Sequence, residues 1–248
     1  MDPRYTKDSS GNPLRVFREF SLSEPEIRTC EEIKGVLADP GCTCTGSIYF
    51  MFRDVAKNPE DRRWMQSQDL RYDITLIPPR TVCGEFVKTK GHYHPDTPGG
   101  VGYPEIYEVI GGVAHYLIQT RDLSDVILVK APAGSVVLVP PGYGHVTINP
   151  SSTEILQMAN IVSSRFSSDY SGYVERRGAS WYEFSDGTFA KNPNCPEAPQ
   201  LRFIDAKTQE KTGLLPGPLY NHITKRSPVL SCLNEPEKYS SLFRNAYS

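Results

Sequence analysis

Between residues 72 and 162 a turn signal recurs roughly every ten residues, the rhythm of serial short strands. Runs rich in β-branched and aromatic residues are expected as strands at 72–77, 85–89, 105–110, 114–119, 126–130, 135–139, 145–149 and 154–162. Pro78-Pro79, the stretch 95–102, Gly111-Gly112, Ala133-Gly134 and the stretch 140–144 punctuate them. No helix-length amphipathic segment interrupts the run. An α/β sheet is therefore excluded, and an all-β antiparallel β-barrel or jelly roll is expected.

Three of the five histidines fall in two dense segments of this run, 89–107 and 134–149. The segment Thr89-Lys90-Gly91-His92-Tyr93-His94 is followed by Tyr103-Pro104-Glu105-Ile106-Tyr107. In a strand, residues i and i+2 face the same side, so His92 and His94 can aim two imidazoles into one pocket. Glu105 and His145, from other strands, complete a three-His, one-carboxylate set. Such a set suits a divalent first-row metal with positions left open for water or substrate. Parity puts Tyr107 on the side of Glu105, and Thr147 and Asn149 on the side of His145; the last two read as structural. Alternation from His92 turns Lys90 inward and Thr89 outward unless Gly91 hosts a bulge. Either residue, with the Gly91 amide, could hold an anion such as phosphate, and Lys90 reads equally well as a solvated surface lysine.

The spacing of Gly134, Pro140, Gly142, His145 and Asn149 resembles the second motif of the cupin superfamily. The first segment resembles the first cupin motif, with a Pro- and Gly-rich loop lengthening the gap from His94 to Glu105. Thr89-Lys90-Gly91-His92-Tyr93-His94, Glu105-Ile106-Tyr107 and Pro140-Pro141-Gly142-Tyr143-Gly144-His145 resemble the cupin-type glucose-6-phosphate isomerases, over about residues 47–170. That resemblance implies a cupin barrel with N- and C-terminal extensions that interconverts glucose 6-phosphate and fructose 6-phosphate. It implies His92, His94, Glu105 and His145 as ligands of one divalent metal per chain. Fe2+ is the first choice, with Mn2+, Ni2+ or Zn2+ as alternatives. It also implies sugar-phosphate contacts at Thr75, Thr89, Gly91 and Tyr107, with Tyr49 added. Family members often carry an aromatic residue and a histidine near the end of the last barrel strand, where this chain has Val162 and Ser168. An iron-dependent cupin dioxygenase would use a similar site but has no need of an anion-holding Thr-Lys-Gly run. A non-catalytic sugar-binding cupin often lacks ligands, whereas all four are present here.

Aldose–ketose isomerisation moves hydrogen between C2 and C1. Glu105 is the expected catalytic base, against a direct hydride shift that uses no base on carbon. Glu85 and Glu108 lie nearby, but Glu108 has the opposite parity to Glu105.

The formal net charge of −2 and the lack of a basic block argue against nucleic acid as a partner. No run approaches the ~18 apolar residues of a membrane span. Residues 1–8 lack the apolar core of a secretory signal, so a cytoplasmic location is expected. The six cysteines read as buried or incidental thiols, Cys42 and Cys44 being too close for the usual zinc pair. Residues 1–70 are expected to pack on a barrel of residues 71–165, and 166–248 to form an extension of the same domain. Within the first segment, 27–35 reads as a short capped helix, 48–52 as a strand and 54–68 as a surface helix or loop. Short strands are expected at 181–184 and 201–204, and 205–248 as a tail that wraps the barrel or joins a dimer contact. A homodimer is expected, with 48–52 and 181–184 able to pair across chains.

Overall fold

The structure is a computed structural model that describes residues 6–7, 14–206, 218–243 and 246–247. Residues 1–5 and most of the Leu214-to-Pro218 stretch lie outside the described residues.

The strands run β1 (Glu26–Thr29), β2 (Ser47–Phe52), β3 (Leu70–Ile77), β4 (Thr81–Val82), β5 (Glu85–Phe86), β6 (Glu105–Gly111) and β7 (Val113–Thr120). They continue with β8 (Val126–Pro132), β9 (Val136–Val139), β10 (Tyr143–Ile148), β11 (Leu156–Ser163), β12 (Trp181–Glu183), β13 (Phe189–Lys191) and β14 (Arg202–Asp205). Six form one sheet in the order β1-β2-β3-β11-β6-β9, and four form a second in the order β10-β7-β8-β14. Every pairing in the two sheets is antiparallel except β14 on β8, which is parallel. Side chains of both sheets share one apolar core, including Ile74, Ile106, Ile118, Leu128 and Ala159. The chain is thus all-β, a two-sheet jelly roll with short helices outside it.

The register sets what each face presents. Arg71, Val162 and Glu105 lie in one transverse row across β3, β11 and β6; Asp73, Asn160 and Tyr107 lie in the next. A one-residue slip of β11 would turn Asn160 outward and bring Ile161 into the pocket.

The first segment departs from its expected form. Residues 26–29 form β1 on the edge of β2, and the helix begins only at Cys30 (α1, Cys30–Ile33). Thr29 and Glu32 close a reciprocal capping box there, with Thr29 N donating to Glu32 Oε2 at 2.8 Å. This cap outcompetes the Ser23–Glu26 start that the sequence suggested. The polar stretch 54–68 contains α2 (Pro59–Ser67), started by Asn58, whose side chain accepts from the Asp61 amide, and by proline at the first turn. The expected pairing of 48–52 across chains is ruled out: β2 already pairs with β1 on one side and β3 on the other. Trp181–Glu183 pairs with β13 in the same chain.

Residues 219–224 pack against the first sheet. Tyr220 meets Phe20 and Tyr72 edge-on, with centroids 5.3 and 5.0 Å apart, and the Leu219 amide donates to Glu108 Oε2 at 2.6 Å. Burial is the main influence lifting the Glu108 carboxyl above its usual range. Glu108 faces this outer layer, away from the histidines, as its parity required.

The cysteine expectation is corrected. Cys30 is bonded to Cys44 and Cys42 to Cys83, with Cα separations of 5.8 and 5.9 Å, while Cys195 and Cys232 are free and buried. Residues 42 and 44 sit on one short loop, and each reaches a different neighbour. Both bridges fasten the first segment, one to itself and one to the β4–β5 turn. Cys83→Ser is expected to lower unfolding free energy by about 2–4 kcal/mol. Denatured, unreduced protein should titrate two thiols, rising to six after reduction; six thiols without reductant would show the bridges absent.

Candidate metal centre

The four candidate ligands come from three places in the fold. His92 and His94 lie on the segment leading to the 95–102 loop, Glu105 opens β6 and His145 lies in β10. The first segment joins β10 through a two-way bridge: His145 N donates to His92 O at 3.1 Å, and His92 N to His145 O at 3.3 Å. Gly144 makes this approach possible. A Cβ there would stand 2.6 Å from the Tyr93 ring and 2.8 Å from the His92 carbonyl. Between the two histidines, Tyr93 points the other way into the core, where Gln119 Nε2 donates to its hydroxyl at 2.8 Å.

The ring nitrogens and one carboxylate oxygen converge. His92 Nε2 and His94 Nε2 are 3.1 Å apart; Glu105 Oε2 is 3.4 Å from His94 Nε2 and 3.5 Å from His145 Nε2. One ligand atom from each of the four residues lies within 4.8 Å of every other. His94 Nδ1 stands 2.8 Å from the Tyr103 carbonyl, which can only accept, so Nδ1 carries the proton and Nε2 offers its lone pair. Asn160 Nδ2 donates to Glu105 Oε1 at 2.7 Å and turns the other oxygen toward the histidines. That oxygen is buried without a hydrogen-bond partner.

Burial is the main influence on both flanking imidazoles. It pushes His145 down to about 4 against the pull of Glu105, and holds His92 well below its usual value, helped by repulsion from His145 and His94. Burial would raise the Glu105 carboxyl, but its contacts with His94 and His145 bring it below the ordinary range. The group therefore brings two imidazoles that burial keeps neutral and the Nε2 of His94 together with one carboxylate whose second oxygen is orphaned. That donor set fits a divalent cation and little else.

A cavity of about 290 Å³ opens in front of these atoms. Of the other residues singled out in the sequence, Tyr49, Thr75, Thr89, Lys90, Gly91 and Tyr107 all line it. Gly91 adopts φ +79°, and a Cβ there would stand 2.6 Å from Tyr173 and Val146. This break in the extended chain lets Thr89 and Lys90 both border the cavity. Lys90 Nζ sits 5.3 Å over the Tyr170 ring, and the Tyr107 hydroxyl is 2.9 Å from His145 Nε2. Asn149 is structural: its Nδ2 donates to the Ile77 and Glu154 carbonyls. Thr147 does not line the cavity, and its hydroxyl is buried without a partner.

The 27–200 region matches the family model described as "Glucose-6-phosphate isomerase (GPI)", well over half of the chain. The chain belongs to this family. Glucose-6-phosphate isomerase of Thermococcus onnurineus is 32% identical over 129 residues, covering 52% of this chain and 65% of that protein. The Thermococcus kodakarensis enzyme is 34% identical over 114 residues, 45% of this chain and 56% of its own length. The chain thus spans about half to two thirds of these relatives. Among solved structures, hazelnut (Corylus avellana) vicilin aligns with TM-score 0.36 and 18% identity over 50% of this chain and 31% of its own. Bacillus subtilis oxalate decarboxylase aligns with TM-score 0.32 and 20% identity over 46% and 25%.

The stretch 163–170, which follows the last long strand and can reach the barrel mouth, supplies further pocket residues. Phe166, from the loop after β11, packs on His94 at 4.5 Å between centroids and stacks on Tyr103 at 4.8 Å. Tyr170 lies 5.5 Å from the His92 ring. Asn160 could have been found from the parity of β11, once that strand was known to neighbour β6. Arg53 and Arg71 carry no motif at all.

The combined variant His92→Ala, His94→Ala, His145→Ala should lose the metal seen by elemental analysis while keeping an all-β circular dichroism spectrum. Asn160→Ala, which frees the Glu105 carboxylate to rotate, is expected to weaken metal affinity about 10–100-fold. Full metal content in the triple variant would place the site elsewhere.

Proposed function

We propose that this protein is a metal-dependent aldose–ketose isomerase interconverting glucose 6-phosphate and fructose 6-phosphate. The observation that carries this is the cluster of His92, His94, Glu105 and His145 at one end of a cavity bordered by cationic side chains, in a chain of the GPI family. One divalent ion per chain is expected, Fe2+ first, with Mn2+, Ni2+ or Zn2+ as substitutes. When bound, the ion polarises the sugar carbonyl and stabilises the oxyanion that develops at C1 or C2.

The protein's own groups do the rest. Thr75, Thr89, Gly91, Tyr107 and Tyr49 line the cavity and are the groups assigned to contact the sugar phosphate. Phe166 and Tyr170 keep water from the reacting carbons. Glu105 is the only carboxylate among the described residues lining the cavity, and we assign it the proton transfer between C2 and C1. Its depressed basicity is the reason to keep the direct hydride shift as a second reading. The same reading includes a homodimer, for which the β1 edge is suited because Ile27 is 44% exposed there. No helix among the described residues is long and apolar enough to cross a membrane. Two disulfides are unusual for the cytoplasmic location first expected.

Glucose 6-phosphate should be converted to fructose 6-phosphate, activity should vanish on chelation, and iron or manganese should restore it. Oxygen uptake in place of isomerisation would instead favour a dioxygenase. With C2-deuterated substrate in ordinary water, label lost to solvent supports Glu105 as base. Complete retention at C1, together with substantial activity in metal-loaded Glu105→Gln, favours the hydride shift. Light scattering at micromolar concentration should give twice the chain mass of 27.8 kDa; a monomeric mass would remove the dimer.

A further inference from the structure

Two arginines that line the cavity, Arg53 and Arg71, belong to a charged cluster that the metal chemistry does not use. Arg53 follows β2, in register beside Asp73, while Arg71 and Asp73 are neighbours on the inner face of β3. The Asp73 side chain is wholly buried. Its Oδ2 accepts from Arg53 Nη1 and from Arg71 Nε, both at 2.8 Å, and its Oδ1 accepts from the Asp54 amide at 3.0 Å. One carboxylate thus holds two guanidinium groups; Arg53 has a second carboxylate partner in Glu26, whereas Arg71 has only its share of Asp73.

Donor accounting separates the two arginines. Arg53 is committed to the protein: Nε donates to Glu26 at 3.3 Å and Nη2 to Met51 Sδ at 3.0 Å, besides Nη1 on Asp73. Arg71 is held at Nε alone, and among the described residues neither of its terminal nitrogens has a protein acceptor. A guanidinium serving only an ion pair would present two parallel N–H groups to the carboxylate; this one leaves that fork unused. Arg71 lines the same cavity as the histidines. Its row runs through Val162 to Glu105, so strand spacing puts the two Cα atoms roughly 10 Å apart. A six-carbon phosphate ester with its C1–C2 end at Glu105 extends in that direction.

We propose that Arg71, oriented by Asp73 and Arg53, is a specificity-determining residue that grips the phosphate of the substrate through its two terminal nitrogens. The inference rests on the isomerase reading for the identity of the sugar, though not for the anion. It complements Thr89 and Gly91, which offer neutral donors, by supplying a fixed charge. Asp73 is a positioning residue: it holds Nε of a cavity-lining side chain and leaves its two terminal nitrogens without a protein acceptor among the described residues.

The test is calorimetric binding to the metal-loaded, full-length protein with two probes, glucose 6-phosphate and inorganic phosphate. Arg71→Ala should raise the Kd for glucose 6-phosphate at least about tenfold, as expected for a lost charge-assisted bond, with metal content retained. Arg71→Lys should recover only part of this, because an ammonium lacks the fork. Arg165→Ala, which removes an exposed partner of Asp69 outside the cavity, should leave the Kd unchanged. Inorganic phosphate should compete with the sugar phosphate in the wild type and lose that ability in Arg71→Ala. Asp73→Asn should shift the same Kd in the same direction in the folded, metal-loaded fraction, an effect a purely structural carboxylate would not produce. A Kd within twofold of wild type for Arg71→Ala, or for Arg71→Gln should the alanine variant not fold, overturns the proposal. Arg71-dependent phosphate binding without isomerisation would instead sink the isomerase reading and leave this one standing.

Discussion

The two-way backbone bridge between His92 and His145 is the constraint on which the site depends. It pins the segment preceding β6 to β10, and so brings three imidazoles together without any of them sharing a regular strand. The sequence meets that constraint at two glycines. Gly144 removes the Cβ that would strike the opposite backbone, and Gly91 takes the positive φ that turns the chain into the bridge. Substituting either would shift the histidines by more than metal coordination tolerates, since ligand distances are fixed to a few tenths of an ångström.

Burial does the electrostatic work. Removing His92 and His145 from water disfavours their protonated forms, keeping lone pairs available, while the carboxylate among them stays ionised. Supporting groups fix the remaining freedom: the Tyr103 carbonyl sets the His94 tautomer and Asn160 sets the Glu105 rotamer. The same inner face carries Asp73 with its two arginines two strands away from Tyr107. So polar an interior is sustained because the apolar core lies on the outer faces of these strands and in the second sheet.

That arrangement explains why β3 and β11 are buried almost throughout instead of alternating between buried and exposed. Their outer face is covered by the N-terminal segment and by residues 219–233, through Phe20, Tyr72, Tyr220 and the Leu219–Glu108 bond. The extensions are thus the second layer of the sheet, and the disulfides at Cys30 and Cys42 fasten part of that cover.

Strand rhythm and motif spacing were enough to indicate an all-β chain and to single out His92, His94, Glu105 and His145, because both signals are local: a period of two and a fixed sequence of turn residues. The parity of Glu108 and the structural use of Asn149 were legible for the same reason. What was not legible depends on which strands are neighbours. Asn160 bears on Glu105 only because β11 lies between β3 and β6, and Arg71 faces the cavity only through the register of β3 on β11. The Cys42–Cys83 bridge likewise needs the β4–β5 turn to fold back against the first segment, and β1 replaces a helix because β2 offers it an edge. Local pattern carries the period and the turn chemistry. Pairing order is a long-range property that no single stretch of this sequence encodes, so the ligands could be read in advance while their supports and the anion-facing arginine required the folded sheet.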